Sequence, residues 1–318
     1  MEKDSLVSDE LVKSAWDDYW QQGHITSFGG QFKNNYTGAV ATLWQNFFKT
    51  CSLTDKVLDV ATGNGAVLEL AKRTLAELPP ENLVGIDYAQ VKNANPNFTL
   101  LSEINVEHLP FEDNSFTLAT SQYGIEYAKF EKSLPEIARI LVPDGKFQFI
   151  CHCENSVILE SNRKIRQITQ ELLKADGALF ILREMLAKLA QKSNEMNDNK
   201  QQTEALRNAL NEELTRLHSI YGQLLHDTEI TALLKQVLRV DKSYQEKLAT
   251  IKSYEDEQII ASTRLLDLEN AALTQDKIAI LSALAKQTGL GVIEVEAINE
   301  TNVGLIGLKL SGKKHPSI

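Results

Sequence analysis

Residues 57–67 read VLDVATGNGAV. Val57, Leu58 and Val60 suit a buried strand, Ala61–Gly65 a tight turn of small residues, and the apolar stretch from Ala66 the start of a helix. A strand, a glycine turn and a helix in that order bring backbone close to a bound ligand. A nucleoside-triphosphate loop needs its second glycine to be followed by Lys and then Ser or Thr, and Gly65 is followed by Ala66 and Val67. A dinucleotide loop needs a third glycine three residues on, and that position is Leu68, with Ala61 at the first glycine position.

Asp59 separates the remaining options. It stands at the end of the strand, just before the turn. A carboxylate there repels a pyrophosphate and suits a ligand with an ammonium group. S-adenosylmethionine (SAM) carries an amine, a carboxylate and a sulfonium, and no phosphate. Asp87 ends the next strand-like run, LVGID (83–87), where a carboxylate can accept from ribose hydroxyls.

Outward from this stretch the pattern alternates. Residues 9–22 and 37–49 read as helices, separated by the loop GHITSFGGQFKNNYTG with Gly29–Gly30 as punctuation. A helix over 65–77 stops before Pro79–Pro80. FTLLSEIN (98–105) and SFTLATSQ (115–122) read as further strands, 129–141 as a helix, and Pro143–Gly145 as a turn into KFQFICH. Strands alternating with helices predict a parallel sheet of right-handed βαβ units. Residues 155–274 break the rhythm with long helical stretches, and SNEMNDNKQQ (193–202) is their most polar gap. Leu210, Leu214, Leu217, Tyr221 and Leu224 recur at spacings of four and three, a short heptad-like seam that serves either a local bundle or a dimer arm. A helix over 275–287 and two strands, 292–298 and 303–310, joined as a hairpin by NETN, close the chain. The predicted organisation is an aromatic-rich N-terminal helical lid (1–50), an α/β core (51–154), a helical insertion (155–274) and a last helix and hairpin completing the core (275–318).

Composition bounds the function. The chain has 318 residues, 43% hydrophobic and 24% charged, with a formal net charge of -10. The acidic balance argues against a broad nucleic-acid surface. Three cysteines form no secreted disulfide framework, which points to a reducing, cytoplasmic setting. The charged N-terminus lacks a signal core, and no apolar run reaches the length of a membrane span.

VLDVATGNG (57–65), VGIDYA (84–89) and NVEHLPFEDNSF (105–116) together resemble the class I SAM-dependent methyltransferases, of the type 11, UbiE-like group. The likeness covers about residues 55–152 and, more loosely, 275–310. It implies a Rossmann-like seven-stranded sheet, mostly parallel with the last strand antiparallel, here with a large α-helical insertion. It implies SAM as cofactor and S-adenosyl-L-homocysteine as product. Carried over by position, Asp59 and the backbone of Ala61, Thr62, Gly63, Asn64 and Gly65 hold the methionine part. Asp87 takes the ribose, Tyr88 lies beside the adenine, and Asn105 and Val106 sit where the family reads the adenine edge. Ser121 follows the fourth strand near the sulfonium. Ala61 departs from the family's usual first glycine, Asn105 from its usual Asp, and Thr117 from an Asp often found after Phe.

Methyl transfer is an in-line displacement in which positioning does much of the work, and a base is needed only where the acceptor must lose its proton early. SQYGIEYA (121–128) offers Tyr123, Glu126 and Tyr127 at the carboxyl end of a strand. In CHC (151–153), alternation puts His152 on the face opposite Cys151 and Cys153. His152 is a candidate general base or a packed strand-end residue, and no second cluster completes a metal site. The aromatic N-terminal segment, with His24, Thr26, Ser27 and Tyr36, either closes over the sulfonium or covers the sheet edge. The acceptor expected is a small molecule, methylated on O, N or C. Two alternatives are a protein or tRNA acceptor engaged through the insertion, and a non-catalytic SAM-binding homodimer built on it.

Overall fold

The computed structural model describes residues 9–28, 34–92, 95–191 and 196–315. Gly29, Gly30, Phe32 and residues 193–195 of the polar stretch lie outside them. Two compact units divide the chain. One is Met1–Leu159 with Asp267–Ile318, and the other is Glu160–Leu266.

The first unit is built on a seven-stranded sheet in the order β3-β2-β1-β4-β5-β7-β6. β1 (Val57–Val60), β2 (Leu83–Ile86), β3 (Thr99–Leu101), β4 (Phe116–Gln122) and β5 (Leu141–Cys151) run parallel to one another. β7 (Gly304–Lys313) runs antiparallel to both β5 and β6 (Glu294–Glu300). All four residues of β1 are buried, because helices cover both faces of a parallel sheet. One face carries the core of α2 (Gly38–Phe48) and α3 (Ala66–Thr74), with Trp44, Phe48 and Leu70. The other carries α4 (Phe130–Ile140) and α11 (Gln275–Gln287), with Leu134, Ile137 and Leu281. α1 (Asp9–Gln21) adds Tyr19 and Trp20 to the first face. Strand order reverses between β1 and β4, the place in open α/β sheets where a crevice forms.

Several elements differ from the sequence reading. α3 ends at Thr74 rather than 77, ahead of the Pro79–Pro80 pair. β3 is only three residues long, because Ser102 turns back to accept from the Val91 amide. Residues 143–145 are no separate turn. They lie inside β5, where the register with β4 shifts and Asp144 takes φ 63°.

The second unit is helical. It runs from within α5 (Val157–Leu173) through α6 (Ala178–Ala190), α7 (Met196–Tyr221), α8 (Leu224–Asp227) and α9 (Ile230–Val237) into α10 (Tyr244–Ala271). The polar stretch from Met196 begins α7 instead of forming a gap, since Asn, Lys and Gln sit readily on an exposed helical face. Leu210 and Leu217 of the heptad-like seam are buried, and Leu214, Tyr221 and Leu224 pack on the same cluster, with Leu182 and Leu186 of α6. The seam is therefore used within the chain, as in a local bundle.

Candidate functional site

The turn after β1 is tied to the ends of its two neighbours. Asp59 is 1% exposed, and its two oxygens accept from Thr62 Oγ1 at 2.6 Å and from Thr120 Oγ1 of β4 at 2.7 Å. Asp87 follows β2 and accepts from the Gly63 amide at 2.8 Å and the Ala89 amide at 2.9 Å. Burial pushes both carboxyls up to about 6, against the pull of these donors. The amides of Thr62 and Gly65 are also spent, on the carbonyls of Ile86 at 2.9 Å and Thr62 at 3.0 Å. Two buried carboxylates and three consumed amides are the reverse of a phosphate cradle, which needs amides aimed outward.

Ala61 takes φ 51° and Tyr123 φ 54°, left-handed conformations that cost a side chain energy. At Ala61 the crowding is visible, since a Cβ added to Gly124 would lie 2.3 Å from Ala61 Cβ.

α1 lies over the turn. A Cβ added to Gly63 would lie 2.5–2.8 Å from three atoms of the Trp20 ring. Glycine is therefore required there by Trp20, a partner that local sequence pattern does not reveal. Asn64 Nδ2 donates to the carbonyls of Trp20 at 3.0 Å and His24 at 2.7 Å, and Asp17 accepts from the Gln90 amide at 2.7 Å. Trp16 stacks on Trp20 with ring centroids 6.3 Å apart, and its Nε1 donates to Asp267 at 3.0 Å. The cavity left beneath is about 30 Å3, lined by Trp20, Tyr36, Asp59, Thr62, Gln122 and Tyr123 among others.

Several of the residues expected at the site also make contacts that hold the fold. Ser121 is fully buried; it donates to the Val60 carbonyl and accepts from the Ile125 amide, both at 2.9 Å, so it braces β4 against β1. Asn105 Oδ1 accepts from the Glu107 amide at 2.8 Å, shaping its own turn. Asn64 anchors α1. Gly65, at φ 86°, faces the Phe98 ring, which an added Cβ would meet at 2.6 Å. Tyr88 is half exposed, with Lys13 Nζ 5.8 Å from its ring centroid. Val106 packs on the sheet face shared with α4 and α11. Thr117 ties the start of β1 by accepting from the Lys56 amide at 2.8 Å.

The catalytic candidates separate. Tyr123 lines the small cavity and donates to the Ile306 carbonyl at 3.1 Å. His152 stacks on Tyr123, centroids 4.1 Å apart, is 1% exposed, and burial drops it to about 3. It lines neither of the two cavities, and its burial and stacking fit the packed alternative. Its neighbour Cys151 faces the opposite core, as alternation requires. Glu126 is among the residues lining a second cavity, of about 330 Å3.

A family model described as a methyltransferase domain matches residues 58–149. Over those residues the chain is similar to the SAM-dependent methyltransferase domains of the type 11 group. The ubiquinone/menaquinone biosynthesis C-methyltransferase UbiE of Rickettsia bellii is 32% identical over 179 residues, 50% of this chain and 64% of its own length. That of Bartonella quintana is 38% identical over 102 residues, 29% of this chain and 39% of its own length. The chain thus spans less than two thirds of the length of these curated relatives. Among solved structures, the 1,6-didemethyltoxoflavin-N1-methyltransferase of Burkholderia thailandensis covers 99% of this chain and 94% of its own, at TM-score 0.46 and 9% identity. A Methanococcus maripaludis protein described as a putative SAM-dependent methyltransferase covers 99% of each chain, at TM-score 0.43 and 12% identity. No helix among the described residues is long and apolar enough to cross a membrane.

Proposed function

We propose that the chain is a SAM-dependent methyltransferase that acts on a small-molecule acceptor. One observation carries the reading: Asp59 and Asp87 stand buried at the ends of adjacent strands while the Gly63 amide is turned onto Asp87 rather than outward. This donor set fits SAM. A cationic amine suits a carboxylate desolvated like Asp59, vicinal hydroxyls suit Asp87, and no phosphate needs the spent amides.

In this reading Asp59 and the Ala61–Gly65 backbone hold the methionine part and Asp87 the ribose. Bound SAM supplies an electrophilic methyl group on a sulfonium. Trp16, Trp20 and Tyr36 exclude water from the site, and their π faces favour a positive charge. Tyr123, fixed through Ile306 and stacked on His152, forms a rigid wall. The curated relatives are named as C-methyltransferases, which favours a carbon acceptor. The acidic balance of the chain favours a small molecule over nucleic acid.

A radiolabelled transfer assay tests this, with methyl-labelled SAM and a size-fractionated cell extract. Label appearing in the small-molecule fraction supports the reading. Label confined to protein or RNA, or no transfer by a chain that binds SAM, contradicts it.

A further inference from the structure

The cavity of about 330 Å3 lies beyond the carboxyl ends of β4 and β5, the end of an open α/β sheet where ligands bind. Tyr127 and Phe130, on the segment that follows β4, form one side of it. Asn270 and Ala271, at the end of α10, form another. They are pinned beside β5, because the Leu273 amide donates to the His152 carbonyl at 2.9 Å. Trp16 connects this cavity to the turn that holds Asp59. Its ring lines the 30 Å3 cavity together with Asp59 and Thr62. Its Nε1 donates to Asp267 at 3.0 Å, and its ring meets Tyr127 edge-on with centroids 5.8 Å apart. Asp267 and Tyr127 both line the larger cavity, so a single indole ring stands between the linings of the two.

The charges around the larger cavity cancel or are spent. Glu126 is buried and accepts from the His152 amide at 2.7 Å, and burial pushes it up to about 7, so it presents no fixed charge. Lys277 Nζ donates to the last carbonyls of α10, those of Asn270, Ala271 and Ala272, and caps that helix. Asp267 holds Trp16. Lys129 and Glu131 are exposed at the rim and offset each other. Tyr127, Phe130, Ala271 and Ile280 supply apolar surface. A charged ligand would leave water here without a counter-charge, which is costly, whereas a neutral apolar one would not.

We propose that this cavity is the site of the methyl acceptor, an uncharged and mostly apolar small molecule, and that Trp16 is the wall dividing it from the SAM cradle. Its volume falls at the lower end of small-molecule sites, roughly 300–1,000 Å3, so the part of the acceptor it holds is the size of a single ring or a short chain. The assignment rests on the methyltransferase reading.

Two measurements on the full chain at neutral pH test it. The first, without SAM, titrates benzyl alcohol by saturation-transfer NMR, with benzylamine and benzoate as charged counterparts. Benzyl alcohol is expected to bind saturably, and both counterparts at least about fivefold more weakly. Ile280 is half exposed at the mouth. Ile280→Trp, which fills the mouth, and Ile280→Glu, which brings charge to it, are each expected to weaken benzyl alcohol at least about fivefold. The second supplies methyl-labelled SAM with the small-molecule fraction of a cell extract. Each variant is expected to need at least about fivefold more of that fraction for half-maximal labelling, with its SAM affinity by calorimetry within about twofold of wild type. Melting curves identify a variant that fails to fold, and the other then decides. No saturable binding of benzyl alcohol, a charged counterpart bound as tightly, or benzyl alcohol affinity or half-maximal labelling unchanged in the folded variants overturns the proposal and leaves the methyltransferase reading standing. No labelling by the wild type overturns both.

Discussion

The Gly63 amide donates to Asp87 Oδ2 across 2.8 Å, joining the turn after β1 to the end of β2. This bond removes from the turn the donor that a phosphate would use. It also gives Asp87 a fixed position, with its remaining lone pairs available to hydroxyl groups.

The buried carboxyls make both binding and stability depend on pH. Burial raises Asp59 from 3.8 to about 6 in the folded chain. The folded state therefore binds this proton more tightly than the unfolded chain, and the group costs stability above pH 6, a cost relieved as pH falls toward 4. Asp59→Asn is expected to melt higher than wild type at pH 7, with the difference shrinking to near zero at pH 4. Thermal melts of the pair across that range check it. SAM affinity of the wild type is expected to fall as pH drops through 6, where Asp59 and Asp87 protonate.

Ala61 holds a left-handed conformation that glycine adopts without cost. Ala61→Gly is expected to stabilise the fold by about 1 kcal/mol, less a few tenths for added freedom of the unfolded chain. Denaturant midpoints measure this, and a destabilised variant would show that Ala61 Cβ contributes packing outweighing the strain.

Trp20 rests on Gly63 above a cavity of about 30 Å3, far below the roughly 300 Å3 of the smallest usual ligand sites. SAM binding is therefore expected to displace this ring and change tryptophan emission. Trp20→Phe is expected to lose most of that change while still folding. A full signal in Trp20→Phe would place the movement elsewhere.

In the helical unit Leu217 is fully buried within the cluster shared by α6 and α7. Leu217→Ala is expected to cost about 2–5 kcal/mol, read as earlier melting of helical circular dichroism. Leu214, on the margin of the same cluster, is expected to cost less.

The core of the fold could be read from local pattern. Val57, Leu58 and Val60 are apolar enough to mark a strand covered on both faces, and Asp59 and Asp87 stand out because charge interrupts such runs. The heptad spacing of Leu210 to Leu224 marked a packed seam. What escaped reading depends on partners distant in sequence. Gly65 looked like a ligand-facing residue, but Phe98 makes it necessary. Ser121 is expected near the sulfonium by resemblance, and its hydroxyl bonds Val60 and Ile125. His152 is open in the sequence between a base and a packed strand-end residue, and its stacking on Tyr123 depends on a partner 29 positions away. Glu126 is legible as a functional candidate, but not the cavity it helps line, part of which comes from residues 267–280.

The central claim is that the Asp59–Asp87 turn is a SAM site. Isothermal titration of SAM into the full chain at pH 7.5 tests it most directly, with Asp87→Ala alongside. The account predicts one-site binding in the micromolar range, weakened at least about tenfold by Asp87→Ala, as expected when charge-assisted hydrogen bonds are lost. A folded wild-type chain with no SAM affinity, or an Asp87→Ala variant that binds as tightly as wild type, would contradict it.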